Sequence, residues 1–182
     1  MTNTIDDQLR RWKIAYESPE LNVAHALCDS RDPSAVAFTL IDADLQGRDV
    51  TFGMLGDQSR RFATVLAEQG VRSGDRVGVL MGKRTELLVA LMAIWRLGAV
   101  YVPLFTAFAP AAIQSRLERS QARVILTEPT QVDKVKGLAV TRVLTCGPGL
   151  NADIQAAAPL KDSVAVGGSG EVIRIFTSGT TG

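Results

Sequence analysis

Residues 76–104 read RVGVLMGKRTELLVALMAIWRLGAVYVPL, and this stretch decides the fold. Its first part, Arg76 to Met81, is almost wholly apolar, which predicts a strand buried on both faces. Thr85 to Leu97 has the length and apolar content of a helix, which Gly98 closes. Val100 to Pro103 predicts a second short strand. A strand, a helix and a strand in this order predict a crossover between two parallel strands.

The same alternation extends to both sides of this unit. An opening helix is predicted by the stripe Leu9, Trp12 and Tyr16, and a second short helix over 21–28. Trp12 and Trp95 are expected to be core or half-buried packing residues rather than substrate contacts. The further strands are predicted at 35–41, 49–52, 123–126, 141–145 and 171–176, and the further helices at 54–69, 110–120, 130–138 and 151–157. The first two strands form a hairpin. We therefore predict an α/β fold with a mostly parallel, doubly wound sheet and helices on both faces.

Composition changes divide the chain into three parts. Residues 1–34 form an N-terminal helical segment, and residues 35–170 form a subdomain of repeated strands and helices. The second part ends in the linker-like stretch VAVGGSG at 164–170. Residues 171–182 contain a predicted strand and a run of hydroxylated residues and glycine.

The overall composition excludes several classes of protein. The chain has 182 residues, 46% hydrophobic and 21% charged, which indicates a folded rather than a disordered protein. Its 20 basic and 19 acidic residues give a net charge of +1, so nucleic-acid binding through phosphate neutralisation is not expected. The longest apolar run, Leu87 to Trp95, is far shorter than the roughly twenty residues of a membrane span. No secretory signal is visible, and we predict a cytoplasmic location.

Metal-binding and nucleophilic residues are sparse in the sequence. The single histidine, His25, lies three residues before Cys28, and the second cysteine, Cys146, has no neighbour at metal-ligand spacing. A structural zinc site requires four ligands, so we assign no metal site and no catalytic residue. Both cysteines are expected to be buried or half-buried free thiols in a reducing compartment.

Two stretches of the sequence have features of a phosphate-binding loop. Gly78 to Arg84 has the position of a Walker loop between a strand and a helix, but its spacing is one residue short and no Ser or Thr follows the lysine. We therefore predict an ordinary strand-to-helix turn for this stretch. Thr177 to Gly182, TSGTTG, directly follows a predicted strand and combines glycines with four hydroxyls. Such a turn can direct backbone N–H groups and hydroxyls at phosphate oxygens. On composition alone, a frayed terminus is an open alternative.

The ending TSGTTG resembles the phosphate loop of the AMP-forming adenylating superfamily, which contains acyl-CoA synthetases, luciferases and peptide-synthetase adenylation domains. Upstream, Val50–Phe52, Val71–Leu80 and Leu87–Leu104 resemble the family's opening elements in the same order. The resemblance covers about residues 20 to 182. Residues 22–28 and 103–108 look most like acyl-CoA synthetases for acetate, medium-chain or related acids.

This resemblance implies a function and a site. Family members join a carboxylic acid to the α-phosphate of ATP with Mg²⁺, and acyl-CoA synthetases then pass the acyl group to CoA. By motif position, the ATP-phosphate contacts are Thr177, Ser178, Gly179, Thr180, Thr181 and Gly182. The family's later elements do not occur in these 182 residues, so we expect the N-terminal part of an enzyme, inactive by itself.

Two alternatives to this function stay open at the level of sequence. In the first, the chain is a truncated, non-catalytic remnant that binds a nucleotide or a partner. In the second, it belongs to an adenylating enzyme with another acceptor, luciferase-like or carrier-protein-loading. The acid that is activated is not indicated, and a homo-oligomer is compatible with the sequence.

Overall fold

The computed structural model describes residues 4–177. Its centre is a four-stranded, fully parallel sheet in the order β4-β3-β5-β6. The strands are β1 (Val36–Ile41), β2 (Gly47–Thr51), β3 (Arg76–Leu80), β4 (Val100–Leu104), β5 (Val124–Thr127) and β6 (Arg142–Thr145). The helices are α1 (Ile5–Glu17), α2 (Phe52–Glu68), α3 (Thr85–Arg96), α4 (Pro110–Ser120), α5 (Val132–Val135) and α6 (Pro148–Ala156). A π-helical turn spans His25–Asp29, and a 3₁₀ turn spans Pro129–Gln131.

Helices cover both faces of the parallel sheet, as predicted. Val77 and Val79 of β3 pack in one cluster with residues of α2, α3 and α6. Leu80 of the same strand belongs to a second cluster with residues of α4 and α5. Gly78, on the second face, has no room for a side chain, because a Cβ there would lie 2.8 Å from the Cδ2 atom of Leu117. The all-apolar sequence of β3 therefore reflects burial on both sides.

The predicted hairpin is also present, as a separate two-stranded antiparallel sheet of β1 and β2. Asp42 stabilises its turn by accepting hydrogen bonds from the backbone N–H groups of Asp44 and Gln46, at 3.0 and 2.9 Å. Thr51 ends β2 and caps α2, since its hydroxyl accepts the N–H of Met54 at 3.2 Å. The hairpin is thus joined directly to α2, the first helix that packs against the parallel sheet.

Two of the predicted helices differ from those in the structure. The helix expected at 21–28 is a π-helical turn at His25–Asp29, and that expected at 130–138 is reduced to a 3₁₀ turn and α5. The opening helix is present, but α1 buries none of its residues. Trp12, which was expected to be core or half-buried packing, is 50% exposed.

Among residues 4–177, no helix is both long enough and apolar enough to cross a membrane.

The prediction of a strand at 171–176 is wrong, because Pro103 interrupts the pairing of this segment with β4. The segment makes one parallel bridge to β4, in which the N–H of Tyr101 bonds the carbonyl of Val172 at 3.1 Å and the N–H of Arg174 bonds the carbonyl of Tyr101 at 2.9 Å. Alternate residues of a strand face the same neighbour, so the next donor from β4 should come from position 103. Proline has no N–H, and the ladder stops there.

A buried ion pair joins the π-helical turn to α2 and α3. The guanidinium of Arg96 is fully buried and donates two hydrogen bonds of 2.8 Å to the carboxylate of Asp29. It also donates to the hydroxyls of Ser59 at 2.9 Å and Ser163 at 3.1 Å. Arg60 approaches the same carboxylate at 2.9 Å. Every donor of a buried charge needs such a partner, and Arg96 finds partners on three different parts of the chain.

The substitution Asp29→Asn tests the importance of this pair. It leaves the buried charge of Arg96 without a counter-ion, which should lower the free energy of unfolding by about 3–5 kcal/mol in urea denaturation followed by circular dichroism. Asp133→Asn is the matched control, because Asp133 pairs with Lys136 at the surface. That change should leave the free energy of unfolding nearly unchanged, because the pair is exposed to solvent. Equal effects of the two variants would contradict the argument.

The same pair should make stability depend on pH in the acidic range. Burial opposes ionisation of Asp29, but the hydrogen bond and charge of Arg96 and the charge of Arg60 outweigh it and hold the pKa of Asp29 below its usual value. A lowered folded pKa gives stability that is present above the unfolded pKa. This contribution is therefore lost as the pH falls below about 4, and Asp29→Asn should flatten the unfolding free energy against pH there.

Pro103→Val should extend the pairing between β4 and residues 171–176. The new N–H at position 103 can donate to the carbonyl of Arg174, and the added bond should slow amide exchange at Phe176 by about fivefold. Pro159→Val, in an exposed loop, is the control and should leave exchange at Phe176 unchanged. Unchanged exchange at Phe176 in the Pro103 variant would show that the proline does not end the ladder.

Candidate ATP-phosphate site

The carboxyl ends of the parallel strands form the edge at which open α/β sheets bind ligands. Three loops meet at this edge: residues 81–84 after β3, residues 105–109 after β4 and the residues that follow β5. Thr127, the last residue of β5, is buried and donates from its hydroxyl to the carbonyl of Leu80 at 3.2 Å. This bond holds the ends of the two central strands together.

Glu128 organises the loops after β3 and β5. Its carboxylate accepts the backbone N–H of Gly82 at 3.2 Å, a guanidinium N–H of Arg84 at 3.4 Å and the hydroxyl of Thr130 at 3.0 Å. The side chain of Glu128 is 13% exposed. Its oxygens are therefore engaged inside the protein, and Glu128 acts as a structural acceptor rather than as an open metal ligand.

Arg84 is likewise committed to neighbouring carboxylates. Its guanidinium donates two hydrogen bonds of 2.9 Å to Glu86, besides the contact to Glu128. The hydrogen bond from Arg84 lowers the pKa of Glu86, against the opposing effect of burial. The structure thus confirms residues 78–84 as a strand-to-helix turn, with Lys83 exposed beside it.

Both cysteines are buried free thiols, as expected from the sequence. Burial and the negative charge of Glu86 raise the pKa of Cys146 to about 11, and burial and Asp29 raise that of Cys28. The reactive thiolate form is disfavoured at neutral pH. Residues 4–177 contain no group of three or more His, Cys, Asp or Glu side chains arranged to hold a metal ion.

The segment that leads into TSGTTG is attached to the last turn of α3 and to α4. The indole N–H of Trp95 donates to the carbonyl of Val172 at 2.8 Å, and this carbonyl also accepts the N–H of Tyr101. Arg174 pairs with Glu171 at 2.5 and 2.6 Å. Its other terminal nitrogen donates to the carbonyl at the end of α4, on Ser120, at 3.4 Å. Side-chain contacts therefore position a segment that backbone pairing holds at one point only.

The predicted site lies at the end of this segment. Thr177 is exposed there, while Ser178, Gly179, Thr180, Thr181 and Gly182 lie outside the described residues. The preceding aromatic ring, Phe176, lies under the guanidinium of Arg119, 5.1 Å from ring centre to Cζ. The donor set of TSGTTG, hydroxyls and glycine N–H groups, is chemically suited to phosphate oxygens.

Sequence reasoning missed the role of Trp95. It predicted packing, and the indole is half-buried among the residues that cover the sheet. Its hydrogen bond to Val172 spans 77 positions of sequence, so no local pattern could reveal it. A general rule gives the only hint, because an indole N–H below the surface requires an acceptor.

The comparison with protein families decides the assignment. The family model described as AMP-binding enzyme matches residues 26–182, which include both clusters of the core and the TSGTTG motif. The chain belongs to this family. The match begins after α1.

Individual relatives agree with the family assignment. An acyl-CoA synthetase from Brucella canis superposes with a TM-score of 0.87 and 30% identity, covering 97% of this chain and 36% of that one. Acetyl-coenzyme A synthetase from Magnetococcus marinus is 32% identical over 130 residues, 69% of this chain and 20% of that enzyme. Cyclo-acetoacetyl-L-tryptophan synthase from Aspergillus oryzae is 34% identical over 137 residues, 75% of this chain and 3% of that protein. The chain thus spans a fifth or less of these two curated relatives.

Trp95→Phe should release the segment before the phosphate loop without disturbing the core. The phenyl ring keeps most of the packing but cannot donate to the carbonyl of Val172, so one hydrogen bond worth about 1 kcal/mol is lost. Amide exchange of Arg174, whose N–H bonds Tyr101, should become about fivefold faster. Trp12→Phe, on the exposed helix α1, is the control. Unchanged exchange at Arg174 would mean that the indole does not anchor the segment.

Proposed function

We propose that this chain forms the amino-terminal part of an ATP-dependent, AMP-forming acyl-CoA synthetase. In this proposal the whole enzyme activates a carboxylic acid as an acyl-adenylate and transfers the acyl group to CoA in the cytoplasm. The main support is the superposition on the Brucella canis acyl-CoA synthetase, which extends over 97% of the chain. We further propose the division into residues 1–34, 35–170 and 171–182 as its structural units.

The proposed role of TSGTTG is to hold the terminal phosphates of ATP. The hydroxyls of Thr177, Ser178, Thr180 and Thr181 and the N–H groups of Gly179 and Gly182 would donate to phosphate oxygens, a neutral donor set matched to an anion. When bound, ATP supplies an α-phosphorus that a carboxylate can attack. Fixed donors at the departing phosphates favour such a displacement because they are oriented before the charge moves.

The chain's described residues contribute position rather than chemistry. Trp95 and Arg174 fix the segment that carries the loop, and Pro103 ends its pairing with β4 just before the loop begins. The segment that leads into the loop is thus held by these side chains and by one backbone bridge to β4, rather than by a continuous ladder. A segment held in this way leaves backbone N–H groups available to turn toward a ligand, which a strand within a ladder cannot do.

No step is assigned to Mg²⁺ or to CoA on the residues described. Glu86 and Glu128, the carboxylates at the ligand-binding edge, are engaged by Arg84 and by backbone. Because the chain spans 36% of the Brucella synthetase, we propose that the groups for Mg²⁺, for CoA and for the acid come from outside these 182 residues.

An exchange assay tests the proposal. In ATP–pyrophosphate exchange with a panel of carboxylic acids, the 182-residue chain should show no activity, whereas the longer protein that carries it should exchange with at least one acid. In that protein, Thr180→Ala and Thr181→Ala should each lower kcat/KM for ATP by about 100- to 1,000-fold, the scale of losing a preorganised donor. Thr141→Ala, at an exposed position of the domain, is the control. Exchange by the short chain, or full activity of both loop variants, would refute it.

A different acid and acceptor form the second candidate. Cyclo-acetoacetyl-L-tryptophan synthase matches 75% of the chain, and the product given in its name contains tryptophan. The panel should therefore include L-tryptophan beside acetate and longer acids, with CoA and a carrier protein as alternative acceptors. Release of acyl-CoA supports the first candidate, and acylation of the carrier alone supports the second.

A further inference from the structure

Helix α1 presents a narrow apolar stripe that the described chain leaves uncovered. The stripe consists of Ile5, Leu9, Trp12 and Tyr16, which are 77%, 53%, 50% and 52% exposed. At about 100° per residue, these four side chains fall within roughly 60° of one another around the helix. Their spacing of four, three and four residues is that of a seam between two paired helices.

The described part of the chain does not bury this stripe. None of the residues of α1 is buried, and the family match begins at residue 26, beyond the end of the helix. The hydroxyl of Thr4 caps the helix by accepting the N–H of Asp7, at 3.3 Å. Helix α1 is thus a capped helix whose residues are all exposed in the described part of the chain.

Two charges beside the stripe indicate what covers it. Asp6 and Lys13 lie on the same flank of the seam, about 80–100° from Ile5, and the structure gives neither an ion pair. Asp7, by contrast, is occupied by the hydroxyl of Thr4 at 2.8 Å. The opposite flank carries Gln8 and Ala15, which are uncharged.

An antiparallel copy of the same helix matches this pattern. Aligning Leu9 with Trp12 of a second copy also aligns Ile5 with Tyr16, so all four stripe residues find apolar partners. On this alignment Asp6 of each copy faces Lys13 of the other, in the flanking position where paired helices form ion pairs. A parallel arrangement brings Lys13 opposite Gln8 and leaves Asp6 without a basic partner. The charges therefore select the antiparallel pair.

We propose that α1 pairs with α1 of a second copy of this chain, antiparallel and across a two-fold axis. The interface is self-complementary, as a two-fold contact requires. A helix of thirteen residues is about 20 Å long and offers four apolar layers in such a pair. This is a small interface, so association is expected to be weak.

Charge reversal with rescue tests the pairing. Sedimentation equilibrium of the longer protein that carries this chain is measured from about 5 to 200 µM for wild type, D6K, K13D and the double variant D6K/K13D. Each single change replaces both attractive pairs with like charges and should weaken dimerisation by about tenfold. The double change restores both pairs in reversed order and should return the dissociation constant to within about twofold of wild type.

Two further variants separate the seam from the rest of the helix. Trp12→Ala should abolish the dimer, whereas Ile14→Asp, on the opposite side of the helix and 68% exposed, should leave it unchanged. Because α1 buries nothing, far-ultraviolet circular dichroism of all variants should match wild type. A monomer at 200 µM, an oligomer indifferent to the single variants, or a double variant weaker than either single one would overturn the proposal.

Discussion

The hydrogen-bonded ion pair between Arg96 and Asp29 is the interaction on which the other parts of the structure depend. A guanidinium without solvent contact is tolerated only when its donors are satisfied, and here two hydroxyls and a bidentate carboxylate satisfy them. Replacing such a pair by apolar groups is often neutral, so its value lies in geometry rather than in net stability. It permits one arrangement of the π-helical turn, of α2 and of α3. It also crosses the proposed boundary at residue 34.

The end of α3 links this network to the candidate site. The guanidinium of Arg96 binds Asp29 and the two serine hydroxyls, and its backbone carbonyl accepts the N–H of Val164 at 2.8 Å. The indole of the adjacent Trp95 donates to the carbonyl of Val172. Two consecutive side chains of one helical turn thus orient the chain that leads to the phosphate motif. The other end of α3 begins at the ligand-binding edge, where Glu86 is paired with Arg84. The helix therefore connects the core, the edge of the sheet and the base of the loop.

Local sequence patterns predicted the fold well because each depends on neighbours in the chain. The apolar runs of β3 and β5, the proline at the start of α4 and the glycine after α3 each report a local requirement for burial or backbone conformation. The contacts that the sequence did not predict join residues that are far apart in the chain. Neither the ion pair of Arg96, 67 positions from Asp29, nor the bond from Trp95 leaves a trace in a local window. The motif itself was recognisable only through its resemblance to a family.

Pro103 illustrates the same limit, because its effect depends on which neighbour its missing N–H would face. Pro103 also matters while the chain is being synthesised. On the ribosome, β4 emerges about seventy residues before the segment that later lies beside it, and an uncovered strand edge is a template for aggregation. A proline on that edge denies an incoming strand its hydrogen bond from the first moment. The nascent sheet is thus guarded against self-association throughout the interval in which its natural neighbour does not yet exist.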